Sequence, residues 1–85
     1  MLSPEKVRAR LHATCRARAR YGLDLAPIDF DRIELAIAWG QGETLLVQRN
    51  RRRQVRLTVR RRPVLFVFDD ALPGVVTCLT QETVQ

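Results

Sequence analysis

The second half of the chain contains four short apolar segments, at about residues 44–48, 54–60, 64–68 and 75–80. The links between them read "RNRRR", "RRP" and "DDALPG". Links of this length can close a hairpin, whereas a crossover to a parallel neighbour needs a dozen residues or more. The third segment, "VLFVF", is apolar at every position and is expected to lie at the centre of the sheet or under cover. The segments therefore predict an antiparallel meander.

The second segment lies inside "RNRRRQVRLTVRRRP", which has eight arginines in fifteen residues. Strict alternation of apolar and polar residues is typical of a half-buried strand. The residues predicted to face inward are Val55, Leu57 and Val59, and those predicted to face outward are Arg56, Thr58 and Arg60. We therefore expect a folded strand with an arginine-bearing face.

Two helices are predicted before the strands, over residues 4–21 and 27–39. Ser3 can cap the first helix, Pro4 suits its first turn, and Gly22 suits its end. Its apolar residues at four-residue spacing predict a core-facing stripe of Val7, Leu11 and Cys15. The second helix has one apolar face made of Phe30, Ile33 and Ile37 and a roughly opposite one made of Ile28, Leu35 and Trp39. Either this helix is packed on both sides or the latter three residues form a protein interface, and we expect the interface.

The fold class that follows is α+β, with two N-terminal helices packed on a four-stranded antiparallel meander. A length of 85 residues suits one small domain, residues 1–85. Cys15 and Cys78 match no metal-ligand spacing and are interpreted as buried or half-buried free thiols in a reducing cytoplasm, with a disulfide as the alternative. No segment predicts a secretion signal or a membrane span.

The chain carries a net charge of +6, and only one of its basic residues, Lys6, is a lysine. The charge is unevenly distributed: residues 1–20 carry +5, residues 21–45 carry −4, residues 46–68 carry +8 and residues 69–85 carry −3. A GC-rich genome is one explanation of the arginine bias. A positive side on the folded molecule also favours polyanionic partners, namely nucleic acid or an acidic protein.

His12, the one histidine, stands among arginines at four-residue spacing, Arg8, Arg16 and Arg20. Neighbouring positive charge disfavours protonation, so we expect His12 to be mostly neutral at pH 7 and able to accept a proton. Such a base with guanidinium groups is the set that metal-independent RNA cleavage needs. The alternative is a solvated helix residue without a chemical role. No zinc or other metal site and no cofactor are predicted.

The arginines of the hairpin segment are expected to contact phosphates, which gives affinity without reading the base sequence. The predicted nucleic-acid contacts are Arg8, Arg20, Arg49, Arg51, Arg52, Arg53, Arg60, Arg61 and Arg62. A solvated face in an arginine-rich chain is the alternative. The adjacent Asp69 and Asp70 are interpreted as turn residues.

The stretch "LHATCRARARYGLDLAPIDFDRIELAI", followed by "RRRQVRLTV", "VLFVFDD" and "VVTCLT", resembles the barnase–colicin–RelE-like group of metal-independent ribonucleases, which includes toxins of toxin–antitoxin pairs and phage proteins. The resemblance implies a RelE-like fold, an RNA substrate and an acidic antitoxin-like partner. It implies catalytic roles for His12, Arg16, Arg56 and Thr77. The chain departs from RelE-type toxins in having no tyrosine near its C-terminus.

Three functions are open at this point. The leading prediction is a cytoplasmic RNA-binding protein, with toxin-like endoribonuclease activity if the resemblance holds. The second is a non-catalytic phage or host-modulating protein that binds nucleic acid or an acidic protein. The third is an assembly subunit, such as a homodimer, in which the arginines serve a protein interface.

Overall fold

A computed structural model describes residues 2–80 of the chain. Two helices, α1 (Pro4–Tyr21) and α2 (Pro27–Ala38), precede four strands, β1 (Glu43–Val47), β2 (Arg52–Val59), β3 (Arg62–Asp69) and β4 (Gly74–Leu79). The strands form one antiparallel sheet in the order β1-β2-β3-β4. The predicted α+β arrangement is confirmed, and most element ends lie within two residues of the predicted ones.

The ends of α1 are set by the residues that the sequence indicated. The Ser3 hydroxyl accepts a hydrogen bond from the Lys6 N–H at 3.2 Å, and Pro4 occupies the first turn. Gly22 ends the helix in the left-handed conformation, with φ of 65°. α2 begins at Pro27, and the Asp29 carboxylate accepts a hydrogen bond from the Ala26 N–H at 2.8 Å. Capping interactions therefore determine where α1 ends and where α2 begins.

The core lies between the helices and one face of the sheet. Phe30, Ile33 and Ile37 of α2 are buried in it, as predicted. The sheet contributes alternate residues, namely Val55, Val64, Phe66, Phe68, Val75 and Cys78, with Leu57 and Val59 packed at the margin. All five residues of "VLFVF" are buried, because β3 is an inner strand with apolar residues on both faces. The predicted inward set of β2 and the covered position of β3 are confirmed.

The predicted core stripe of α1 is wrong. Val7 and Leu11 are exposed, and so is Cys15. The buried residues of this helix are instead Arg10, Ala13, Ala17 and Tyr21. The two alanines are fully buried, and Cys78 of β4 places its sulfur 3.9 Å from the Ala13 carbonyl oxygen. Small side chains let the helix backbone approach β4 closely, which larger residues at these positions would prevent.

A buried ionic cluster joins α1, α2 and β4. The Arg10 guanidinium donates to Glu34 Oε1 at 2.7 Å and to Asp31 Oδ1 at 2.8 Å. Glu34 also accepts from the Val75 N–H at 3.1 Å and pairs with Lys6 at 3.1 Å. Burial alone would lower the pKa of Arg10, but the hydrogen bonds and charges of the two carboxylates outweigh it and raise the pKa. The cluster fixes how the helices sit on the sheet.

Candidate nucleic-acid interface

Arginines occupy positive-φ positions in both hairpin turns of the arginine-rich segment. In the β2–β3 turn, Val59 pairs with Arg62, so Arg60 and Arg61 are the two central residues, with φ of 51° and 67°. Positive φ at both central residues defines a type I′ turn, which favours Asn and Gly. In the β1–β2 turn, Asn50 and Arg51 have φ of 66° and 62°. Three arginines therefore adopt a backbone conformation that their side chains disfavour.

Five of the eight arginines in the segment contact groups of the protein itself. Arg56 pairs with Glu43 at 2.5 Å, and Arg60 donates to Asp29 and to the Asp24 carbonyl, each at 2.9 Å. The other three are Arg52, which pairs with Asp69, Arg53, which pairs with Asp70, and Arg62, which donates to the Tyr21 carbonyl. Within residues 2–80, Arg49, Arg51 and Arg61 have no such partner. The predicted phosphate contacts of this segment therefore include arginines that also have partners within the protein.

Arg60 does not lie where the alternation placed it. It was predicted as the last outward residue of the strand, but β2 ends at Val59 and Arg60 belongs to the turn. Its positive φ turns the side chain toward the start of α2, where it bonds to Asp24 and Asp29. Arg56 and Thr58 keep the predicted direction, because they alternate with the inward-facing residues of β2.

The β2–β3 turn and the C-terminal end of α1 form one arginine-rich region. Arg62 lies 5.9 Å from the centroid of the Tyr21 ring, and Arg18 pairs with Asp24 at 2.7 Å. Arg20 donates to the Cys78 carbonyl oxygen at 2.8 Å. We call this region the basic end and define it by Arg18, Arg20, Arg60, Arg61 and Arg62. Its five arginines outnumber the two carboxylates that contact them, those of Asp24 and Asp29.

The predicted stripe on α1 leads into the basic end. Arg8, His12 and Arg16 are exposed, and no side-chain hydrogen bond or ion pair reaches them from the rest of residues 2–80. Successive members are one helical turn apart, about 6 Å, and the last member, Arg20, belongs to the basic end. The arginines of the stripe thus lead along α1 to the basic end, with His12 between Arg8 and Arg16.

The other hairpin end carries a more balanced charge. The β1–β2 turn lies beside the β3–β4 turn, where the Asp70 N–H donates to the Arg51 carbonyl at 2.9 Å. Arg52 and Arg53 pair there with Asp69 and Asp70. Asp69 also accepts hydrogen bonds from the N–H groups of the next turn residues, at 2.9 and 3.2 Å, as its prediction as a turn residue requires. Arg49 and Arg51 are the cations of this end that have no ion-pair partner within residues 2–80.

The four residues predicted to be catalytic do not share a site. Arg56 alternates with core residues of β2, and Thr77 pairs with Val67, which lies between the core residues Phe66 and Phe68 of β3, so both point to the sheet face opposite the helices. His12 and Arg16 are exposed on α1, which packs on the other face. The sheet therefore separates the two pairs. Three or more His, Cys, Asp or Glu side chains do not gather as a metal site anywhere in residues 2–80.

The three residues predicted as a protein interface are exposed on the outer side of α2. The exposed fractions are 56% for Ile28, 61% for Leu35 and 79% for Trp39. A second apolar surface lies between the helices, where the exposed Val7 and Leu11 border a groove of about 430 Å³. The four-residue spacing of Val7 and Leu11 was recognised in the sequence, but it was interpreted as a core-facing stripe.

Sequence reasoning missed two arginines at exposed positions. Arg18 belongs to the basic end, and Arg32 is exposed on α2 with no partner in the described part of the chain. No periodic signal singles out Arg18, because residues two apart point to different sides of a helix and Arg18 therefore lies away from the stripe that contains Arg16 and Arg20.

Comparison of the chain with protein-family models, with curated proteins and with solved structures gave no match. Neither helix in the described residues has the length and apolar character needed to cross a membrane.

Proposed function

We propose that this protein binds nucleic acid, with RNA as the first candidate, through phosphate contacts made by the basic end and the adjoining α1 stripe. The observation that carries the proposal is Arg61. Its φ of 67° costs about 1 kcal/mol or more for a residue with a Cβ, and no hydrogen bond or ion pair joins its guanidinium to the rest of residues 2–80. Glycine or asparagine would make the same turn at lower cost, so stability does not explain an arginine here.

The paired arginines of the basic end remain available to phosphates. The side chains of Arg18 and Arg60 are 70% and 49% exposed; the partner of Arg60, Asp29, is 21% exposed, whereas the partner of Arg18, Asp24, is 76% exposed. An exposed ion pair such as Arg18–Asp24 contributes about 0–1 kcal/mol. A phosphate group can therefore replace a carboxylate at modest cost, and arginine binds phosphate with two parallel hydrogen bonds.

The arrangement supports binding without cleavage better than it supports an endoribonuclease. A metal-independent ribonuclease needs its base, its phosphate ligands and its general acid around one scissile bond. Arg56 and Thr77 lie across the sheet from His12, so His12 and Arg16 would have to act without them. The toxin-like activity stays a prediction, supported by the resemblance and by the position of His12 among arginines on α1.

The test measures binding of a fluorescent structured RNA by anisotropy across a series of salt concentrations. We expect Arg61→Asn to weaken binding several-fold and to lower the log–log salt slope by about 0.7–0.9, the loss of one phosphate contact. The same variant should unfold at a higher temperature, because asparagine tolerates the left-handed conformation. Weaker RNA binding together with a higher unfolding temperature would indicate that Arg61 serves a binding partner and not the stability of the fold.

Arg32→Asn is the matched control, because Arg32 is also exposed and unpaired but lies on α2, outside the basic end. It should change RNA affinity much less than Arg61→Asn does. Equal losses from both variants would mean that binding depends on net charge alone. Weak binding with little salt dependence would contradict the proposal and favour an acidic protein as the partner. Incubation with RNA in EDTA, alongside His12→Ala, separates binding from cleavage.

A further inference from the structure

The outer side of α2 is an apolar surface that residues 2–80 leave uncovered. We call it the α2 face and define it by Ile28, Leu35 and Trp39. With 3.6 residues per turn, Leu35 and Trp39 lie within about 20° of the line through Ile28 along the helix. Trp39 is the one tryptophan of the chain and is 79% exposed. An exposed row of a tryptophan and two aliphatic residues is typical of a contact surface.

The two margins of the α2 face carry opposite charges. Asp31 lies about 60° to one side of the Ile28 line and Arg32 about 40° to the other. The Asp31 side chain is 58% exposed, and only its Oδ1 is bonded, to Arg10. Arg32 is exposed and unpaired within residues 2–80. Each margin therefore offers one charged group that a neighbouring molecule can reach.

We propose that the α2 face binds the α2 face of a second copy of this chain, with the two helices parallel. A two-fold axis along the helices brings opposite margins together, so Asp31 of each copy meets Arg32 of the other. An antiparallel pair would bring each margin against itself and oppose like charges. In the parallel pair Leu35 packs on Leu35 and Trp39 on Trp39 of the second copy. This inference is independent of nucleic-acid binding.

The size of the α2 face sets the expected affinity. Its side chains expose on the order of 400 Å² of apolar surface per copy, given that a tryptophan alone covers about 150–250 Å². The pair would bury less than the roughly 1,200–2,000 Å² of a standard stable interface. We therefore expect a weak dimer that forms as the protein concentration rises and dissociates on dilution.

Sedimentation velocity over a concentration series tests the dimer, and Trp39 fluorescence reports burial of the α2 face. The wild-type protein should show a dimer at high concentration, with tryptophan emission shifted to the blue. Arg32→Glu and Asp31→Lys should each weaken self-association at least about tenfold, because each homodimer then opposes like charges twice. Mixing the two variants should restore a dimer, since the mixed pair carries two matched contacts.

Matched variants separate the α2 face from general effects. Val47→Ser changes an apolar residue of similar exposure, 75%, on β1, and should leave the dimer intact. Arg8→Glu reverses an exposed, unpaired charge on α1 and should also leave it intact. Leu35→Ser should abolish the dimer without unfolding the protein, as judged by circular dichroism. A wild-type protein that stays monomeric, or a Leu35→Ser dimer, overturns the proposal. Asp31→Lys also removes the Arg10–Asp31 bond, so variants that are folded by circular dichroism but fail to pair on mixing overturn the parallel arrangement.

Discussion

Glu34→Gln is the most informative change for the stability of the fold. The Glu34 side chain is 7% exposed, and both of its oxygens are occupied. Oε2 accepts from Arg10 Nε at 3.4 Å and from the Val75 N–H at 3.1 Å, while Oε1 faces Arg10 Nη2 at 2.7 Å and Lys6 at 3.1 Å. Whichever way a glutamine amide turns, its NH₂ group faces two donors. The change therefore removes a charge and breaks hydrogen bonds at constant volume.

The expected loss in the free energy of unfolding is large relative to the total stability of the domain. Removing one partner of a buried ion pair costs about 3–5 kcal/mol. A domain of 85 residues is stabilised by about 4–13 kcal/mol in total, at roughly 0.05–0.15 kcal/mol per residue. At about 4–8 °C per kcal/mol, Tm should fall by at least about 12 °C. Urea unfolding followed by far-ultraviolet circular dichroism measures the free energy of unfolding directly.

Glu43→Gln is the matched control for this measurement. Glu43 pairs with Arg56 at 2.5 Å, a shorter distance than any at Glu34, but its side chain is 59% exposed. The expected cost is about 0–1 kcal/mol. Similar losses from Glu34→Gln and Glu43→Gln would refute the reasoning, because the difference rests on burial and not on distance.

Three further outcomes follow from buried groups and tight turns. Native protein should react with a thiol reagent at the exposed Cys15 only. Burial raises the pKa of Cys78 to about 12, so the free energy of unfolding should fall as the pH rises from about 9 toward 12. This fall should be smaller in Cys78→Ala. Tyr21→Phe should cost about 1–3 kcal/mol in urea unfolding, because the hydroxyl bonds a carbonyl of β4 and an N–H of β3. Gly42→Ala should lower Tm more than Gly40→Ala. Both glycines have φ near +86°, but only at Gly42 would the added methyl group lie 2.8 Å from a methyl group of Val55 in β2.

The sheet was predictable because its signals are local. Alternation in β2 and the uniformly apolar β3 follow from the strand period of two, and the short links leave only antiparallel neighbours. The side of α1 that faces the sheet was not predictable in the same way. Ala13 and Ala17 give a weak apolar signal, whereas Val7 and Leu11 give a strong one. Close approach of the helix to β4 favours the small residues, and periodicity alone contains no information about that distance.

The pairing of the arginines was not predictable from the sequence either. Arg10 and Glu34 are 24 positions apart, and Arg60 lies 31 positions from Asp29. A count of arginines in a segment predicts positive charge on that segment, but it does not predict which carboxylates the fold brings close. Arg60 shows the consequence, because one residue of shift from strand to turn directs its side chain toward the start of α2 instead of to the outer face of the sheet.

The arginines thus fall into two groups, those whose guanidinium groups bond to other parts of the protein and those whose guanidinium groups do not. Arg10 and Arg60 each donate to two separate groups, which suits a planar group with several N–H donors and which a lysine ammonium would match poorly. A GC-rich genome can account for arginine in place of lysine at any site, but it does not account for these paired geometries. Nor does it account for Arg61, where arginine takes a strained turn position without a hydrogen bond or ion pair in residues 2–80. The nucleic-acid proposal therefore depends on Arg61 and on the exposed arginines beside it in the basic end, and not on the total charge.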